Sequence, residues 1–442
     1  MQGKWMKYSI SARLIIIGFL VMLLLIPSFM IRSLIRERQD RRDDAISEVS
    51  EKWGQTQTIT GPILSIPYTK YFTTEDNETS TKTMYTHILP DFLEIDGTIH
   101  PEVRNRGIYE VVLYNSELHF NGKVLIPDLG DLKISAKDII WKDAFISVGI
   151  TDMKGIEELI TFEIDDDDYL ANSGIETNDV IISGVSKIIN NIKPNHDFEF
   201  SFNLNINGSN GLTLTPVGKE TNVTISSDWI SPSFIGHFIP TDHEINENGF
   251  TANWKVLHSN RNFPQKWVGS KHKIEEFSFG VDLLIPVDEY QKNMRTAKYA
   301  FMFISLTFLS FFMIELLNKK IIHPIQYLLI GFSLLVFYSL LLSISEHISF
   351  KYAYLISSIA TIALISTYTI SFLKSRLQTS IIFSILVLLY VYLFIVIQLQ
   401  DFALLIGSIG LFVILSLVMF LTRKIDWFST LNNHKGKNTN AT

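Results

Sequence analysis

Leu14-Ile15-Ile16-Ile17-Gly18-Phe19-Leu20-Val21-Met22-Leu23-Leu24-Leu25-Ile26-Pro27-Ser28-Phe29-Met30-Ile31 stands between Arg13 and Arg32 without a single charge. At 1.5 Å per helical residue, such a run approaches the roughly 30 Å hydrocarbon core of a bilayer. Five more apolar runs fill the last third of the chain: Ala297–Leu317, Ile325–Ile344, Tyr352–Leu373, Ser380–Ile397 and Phe402–Leu421. Loops of a few residues separate them, and a soluble fold has no way to bury them all. Residues 32–296, between the first run and the rest, are polar.

The pattern predicts a polytopic α-helical membrane protein with a large extracytoplasmic domain. Its expected parts are a cytoplasmic tail (1–13), a transmembrane signal anchor (14–31), the polar domain (32–296), a five-helix bundle (297–421) and a cytoplasmic tail (422–442). The last residues, rich in Asn, Lys, Thr and Gly, predict disorder. Lys4, Lys7 and Arg13 give the first segment the basic start of a secretory signal. Its apolar stretch is longer than a signal core, and no small-x-small site follows, so it reads as an uncleaved anchor.

Lys and Arg in the short loops set the orientation. Lys319 and Lys320, then Lys374 and Arg376, then Arg423, Lys424, Lys435 and Lys437 share one side with the N-terminal tail. Both termini are expected in the cytoplasm of a cell inner membrane, with residues 32–296 periplasmic. The cluster Arg32, Arg36, Arg38, Arg41 and Arg42 lies on the other side. It is interleaved with Glu37, Asp40, Asp43 and Asp44, and long domains translocate largely regardless of charge.

The net charge of −7 conceals an asymmetry. Residues 32–296 hold 25 Lys and Arg against 41 Asp and Glu, a net of −16, and the remainder carries +9. So acidic a domain argues against nucleic acid and anionic lipid as its partners. The absence of cysteine from all 442 residues excludes thiol catalysis, Cys-ligated zinc, Fe–S clusters and redox sensing.

Within the polar domain, Ser33–Trp53 reads as a helical stalk stopped by Gly54. Beyond it the period falls to two. Phe198–Ile206 alternates apolar and polar, and Ile108–Leu113, Leu212–Pro216, Asn222–Ser226 and Phe277–Ile285 are further strand candidates. Asp96-Gly97, Asn121-Gly122, Asn207-Gly208, Asn210-Gly211 and Asn248-Gly249 read as hairpin turns. Together they predict a β-rich, sandwich-like domain of antiparallel sheet. Val287–Met294 is expected to run as helix into the second span.

Signatures of known chemistry are few: no G-x-S-x-G, Walker loop, H-E-x-x-H or dinucleotide fingerprint occurs. Asp165–Asp168 lacks the spacing and central glycine of a calcium loop and reads as a solvated turn. His237, Asp242 and His243 lack a third histidine at ligand spacing, so they are not assigned to metal. Glu346 and His347 end the third span and form the one candidate acid–base pair near the membrane. Glu315, near the inner end of the second span, is explained by snorkelling or by pairing with Lys319. Trp229, Pro232 and Phe234 belong to an aromatic, Pro- and Gly-rich segment that is either packed loop or partner surface. No cofactor is implied.

Several segments together resemble a known family. These are Gly61-Pro62-Ile63-Leu64-Ser65-Ile66-Pro67-Tyr68, Arg106-Gly107-Ile108-Tyr109, Ser147-Val148-Gly149, and Ser227–Gly236 with Phe238-Ile239-Pro240. Pro286-Val287-Asp288-Glu289-Tyr290 belongs with them, as do the stretches His323–Gly331 and Leu342–His347 in the membrane part. They are similar to the CreD family of inner-membrane, or cell envelope integrity, proteins. The likeness runs from the first span to Asp426-Trp427 and departs around Asp131–Asn195 and in the tail. His323 is singled out by its place in one of these motifs.

The resemblance implies a membrane protein with a periplasmic domain, linked to envelope integrity and to tolerance of colicins or β-lactams. In some bacteria it implies control by a sensor kinase and its response regulator. It implies no catalytic residue. The expected role is non-enzymatic: embedded in the lipid bilayer, the protein presents a periplasmic domain to a partner protein or envelope component. A membrane enzyme acting on lipid or cell-wall precursor, with Glu346 and His347 as acid and base, is one alternative. A transporter or channel component is the other.

Overall fold

The computed structural model describes residues 10–73, 78–165, 167–190, 192–193, 197–285, 289–318, 320–399 and 402–423. Lys4, Lys7, Asp166, Pro286-Val287-Asp288, Lys319 and the tail from Lys424 lie outside them. The chain divides into two compact units, residues 42–286 and residues 1–41 with 287–442.

The second of these is helical. It takes up α1 (Ile10–Trp53) as far as Arg41, then α2 (Glu289–Lys298), α3 (Ala300–Leu317), α4 (Pro324–Ser345), α5 (Phe350–Leu373), α6 (Arg376–Gln398) and α7 (Ala403–Thr422). Five helices, α1 and α3 to α6, are long and apolar enough to cross a membrane, while α7 contributes a shorter apolar stretch, Leu405–Phe420. Their ends follow local chemistry. His323 caps α4, its Nδ1 accepting from the Ile325 N–H at 3.3 Å, with Pro324 in the first turn and Gln326 closing the capping box.

The helix expected to run unbroken from Val287 into the membrane is instead two helices, interrupted at Tyr299. An interruption frees carbonyls that lipid cannot solvate. Arg32 answers for them, donating to the Ala297 carbonyl at 3.2 and 3.3 Å and to that of Lys298 at 3.4 Å.

Unit 42–286 is built of two sheets. One runs β13 (Pro232–Gly236), β17 (Phe279–Leu283), β11 (Gly211–Thr215), β1 (Gln57–Thr73), β5 (Phe145–Ile150), β9 (Gly184–Ile188) and β8 (Asn172–Ser173). To it are added β2 (Thr79–Ile88), on β1, and β16 (Lys266–Val268), on β2. The other runs β14 (Asp242–Asn246), β15 (Gly249–Leu257), β12 (Glu220–Ser227), β3 (Phe92–Arg106), β4 (Tyr109–Leu125), β10 (Asp197–Ser209), β6 (Thr161–Ile164) and β7 (Asp167–Leu170). One apolar core draws on both, with Ile63, Ile146 and Leu214 from the first and Ile95, Phe120 and Leu204 from the second. Phe120 stacks on Phe202 at 4.5 Å, and Phe162 meets that ring edge-on at 5.2 Å.

The sheets are mixed, which corrects the antiparallel expectation. β1 lies parallel to β11, from Gln57 opposite Leu212 to Thr60 opposite Thr215, and β3 lies parallel to β12. Alternation reports which face of a strand is buried and is blind to the direction of its neighbour. The β1–β11 seam is also tied by side chains, Thr58 to Thr213 and Thr60 to Thr215, each at 2.8 Å.

Three expected turns are likewise strand interior: Gly97 lies within β3, Gly122 within β4 and Gly208 within β10. Close approach, not turning, explains two of them. A Cβ on Gly122 would stand 2.3 Å from the Phe92 carbonyl, and one on Gly208 would stand 2.3 Å from the Tyr114 hydroxyl. Asn210 (φ 64°) and Gly249 (φ 127°) are true turn positions. The Asn248-Gly249 turn closes the β14–β15 hairpin, whereas the Asn210-Gly211 turn passes the chain from one sheet to the other.

Candidate functional site

The residues singled out in the sequence do not converge on one site. Glu346 caps the C-terminus of α4. Its carboxylate accepts from the Tyr290 hydroxyl at 3.2 Å and lies 3.8 Å from Arg38 Nε. Among the described contacts no hydrogen bond joins it to His347. Beside it, Asn293 donates to Ser345 Oγ at 2.7 Å and to the Glu289 carbonyl at 2.9 Å. Glu289 in turn accepts from the Phe350 N–H at 3.1 Å. This cluster fastens α1, α2, α4 and α5 to one another.

Trp229, Pro232 and Phe234 lie in the β unit. Trp229 Nε1 donates to the Leu284 carbonyl at 3.1 Å, and Pro232 opens β13 opposite Leu283. The Phe234 ring is edge-on to Phe250 (5.9 Å), Trp254 (5.8 Å) and His243 (5.2 Å). His237 lies against Phe238 and Phe277. Both histidines therefore serve an aromatic cluster, and among the described residues no group of three or more His, Asp or Glu is placed to hold a metal ion. Asp165 takes the turn between β6 and β7 and accepts from the Glu199 N–H at 3.0 Å.

Lys319, the partner expected for Glu315, lies outside the described residues, and within them Glu315 has two others. It is 3% exposed, accepts from Arg13 at 3.1 Å and from the Tyr327 hydroxyl at 3.0 Å, and so links α1, α3 and α4. Arg13 and Glu315 are 302 positions apart in sequence, a separation no spacing rule spans.

A second constellation escaped the sequence reading altogether. Ser65 Oγ meets His87 Nδ1 at 2.9 Å, and His87 Nε2 meets Asp179 Oδ2 at 3.4 Å. Serine, histidine and aspartate in that order suggest a nucleophile with its base. Burial argues otherwise, since Ser65 is 2% and His87 1% exposed, and the Trp267 ring lies 5.6 Å from the imidazole. A substrate carbonyl has no approach to the hydroxyl. Burial pulls the His87 pKa below its ordinary 6.5, while the Asp179 carboxylate pulls in the opposite direction. Arg261 is buried too, donating to the carbonyls of Val217, Gly218 and Phe263. Desolvation lowers its pKa to about 10, which leaves it charged at neutral pH.

Helices of membrane-crossing length and a two-sheet β unit in one chain define a multi-pass membrane protein with a large β domain. The sequence matches the family described as Inner membrane protein CreD over residues 9–428. It is 32% identical over 419 residues to Inner membrane protein CreD of Escherichia coli (strain K12), covering 92% of each chain. The chain belongs to the CreD family of inner-membrane proteins.

Two outcomes follow from these ties. Glu315→Ala leaves Arg13, 19% exposed at the start of the first span, without its carboxylate, a loss expected to cost about 1.5–3 kcal/mol. The thermal midpoint of the detergent-solubilised protein should fall sharply, and the Arg13→Gln, Glu315→Gln pair should recover most of it. Additive losses in the two single variants would show that the pair is not coupled. For His87, a pKa below 6.5 means the unfolded chain takes up the proton more readily. Its contribution is complete above about pH 6.5 and is lost as the pH falls through the folded value. The β domain should melt earlier at mildly acidic than at neutral pH, and His87→Gln should flatten that dependence.

Proposed function

We propose that this is a non-enzymatic protein of cell envelope integrity whose β domain, on the periplasmic side, binds a partner protein or envelope component. The supporting observation is where the membrane unit's carboxylates go. Glu315 is engaged by Arg13 and Tyr327, and Glu346 by Tyr290 with Arg38 nearby. These are the acids that proton-coupled transport or acid–base chemistry would draw on, and both join helices. The bundle is then an anchor, and the acidic β domain is the part that meets other molecules. Both termini lie in the cytoplasm in this reading, which counts α7 as a sixth span beside the five helices of crossing length, in keeping with the basic loops.

In a deletion strain with an envelope defect, the Glu346→Ala, His347→Ala double variant should complement like the natural protein. Failure to complement at normal protein levels would favour the membrane-enzyme alternative. For topology, Asn121→Cys in this otherwise cysteine-free chain should react with an impermeant thiol reagent in intact spheroplasts. Labelling only after lysis would invert the orientation.

A further inference from the structure

The chain leaves unit 42–286 at two places, through Arg42 into the rest of α1 and past Ile285 towards α2. Both exits lie on one side of the unit. Asp43 shares a hollow with Asn210, and the Asn210 carbonyl accepts from the Leu283 N–H at 2.6 Å. On that side the surface turns apolar. Ile230 is 60% exposed, Leu284 50% and Ile285 38%. The Trp229 indole N–H, donating to the Leu284 carbonyl at 3.1 Å, keeps Trp229 and Ile230 beside them. All four lie past the end of the β13–β17 ladder, where Pro232 stands opposite Leu283.

We propose that Trp229, Ile230, Leu284 and Ile285 rest against the lipid surface of the membrane that the helices cross. Single apolar residues on a surface need no explanation, but a group of them marks an interaction site. Chain continuity names the occupant. α1 is one unbroken helix from Ile10 to Trp53, so it carries the apolar run Leu14–Ile31 straight into this unit. At the other exit, Ile285 precedes Glu289, the first residue of α2, so closely that the two are at most about 14 Å apart. Tyr290 and Asn293 of α2 bond Glu346 and Ser345, where the α4 span ends. A patch tethered this near to the span ends meets lipid headgroups before it meets another protein. Trp is also a residue type that membrane interfaces favour. Asp228 is exposed beside the patch, and the domain as a whole is acidic, so the contact is apolar and needs no anionic lipid. The inference goes beyond the proposed function, because it orients the β domain on the bilayer whatever partner that domain binds.

The cysteine-free chain lets single cysteines test it on the full-length protein. Ile230→Cys, Ile285→Cys and Ile182→Cys are each labelled with bimane and placed in phosphatidylcholine nanodiscs, with or without a nitroxide on the lipid headgroup. Ile182 is the control: it is 80% exposed and lies between β8 and β9, at the opposite edge of its sheet from β13. The nitroxide should quench the labels at 230 and 285 strongly and the one at 182 little. Phosphatidylglycerol in the disc should not deepen the loss. Adding Ile230→Glu and Leu284→Glu to the Ile285→Cys protein should relieve it. Quenching at 230 and 285 no greater than at 182, quenching that arises only with phosphatidylglycerol, or quenching untouched by the two glutamates overturns the proposal.

Discussion

A polar group taken out of water must find a partner or cost several kcal/mol, and both units of this chain are arranged around that constraint. In the helical unit it acts on charges. Glu315 is buried and would be costly alone, and Arg13, at the start of the first span, meets it, so that the pair joins α1 to α3 and α4. Arg32 meets the carbonyls released at Tyr299, so the interruption between α2 and α3 persists because a side chain from another helix completes it. In the β unit the same constraint acts on the backbone, which the ladders satisfy, and on a few buried side chains. His87 and Arg261 are met locally, the first by Ser65 and Asp179 and the second by three backbone carbonyls.

That arrangement decides what each group is free to do. A carboxylate that accepts from two neighbours and joins three helices holds them together, and losing its charge would loosen the joint. Glu315 is such a group, and Glu346, accepting from Tyr290 near Arg38, is close to it. The Ser65–His87–Asp179 set makes the point from the other direction. Its residue types match those of a hydrolase, yet its position inside a sheet denies the hydroxyl a substrate. Residue identity names possible chemistries, and accessibility selects among them.

What was legible in the sequence was local. An apolar run such as Leu14–Ile31 carries its own meaning, because eighteen uncharged positions are enough to define a span. The alternation in Phe198–Ile206 is equally self-contained, and that strand forms with its phenylalanines inward. Whatever depended on a distant neighbour was not legible. Gly122 and Gly208 look like turn residues because Asn-Gly favours turns, but their reason is a carbonyl and a tyrosine arriving from other strands. The parallel pairing of β1 with β11 joins residues some 155 positions apart, and Arg13, which pairs with Glu315, lies 302 positions away from it. Of the candidate residues, Glu346 was noticed as an acid at the end of a span and His323 by its motif, and the roles they take as the caps of α4 went unread.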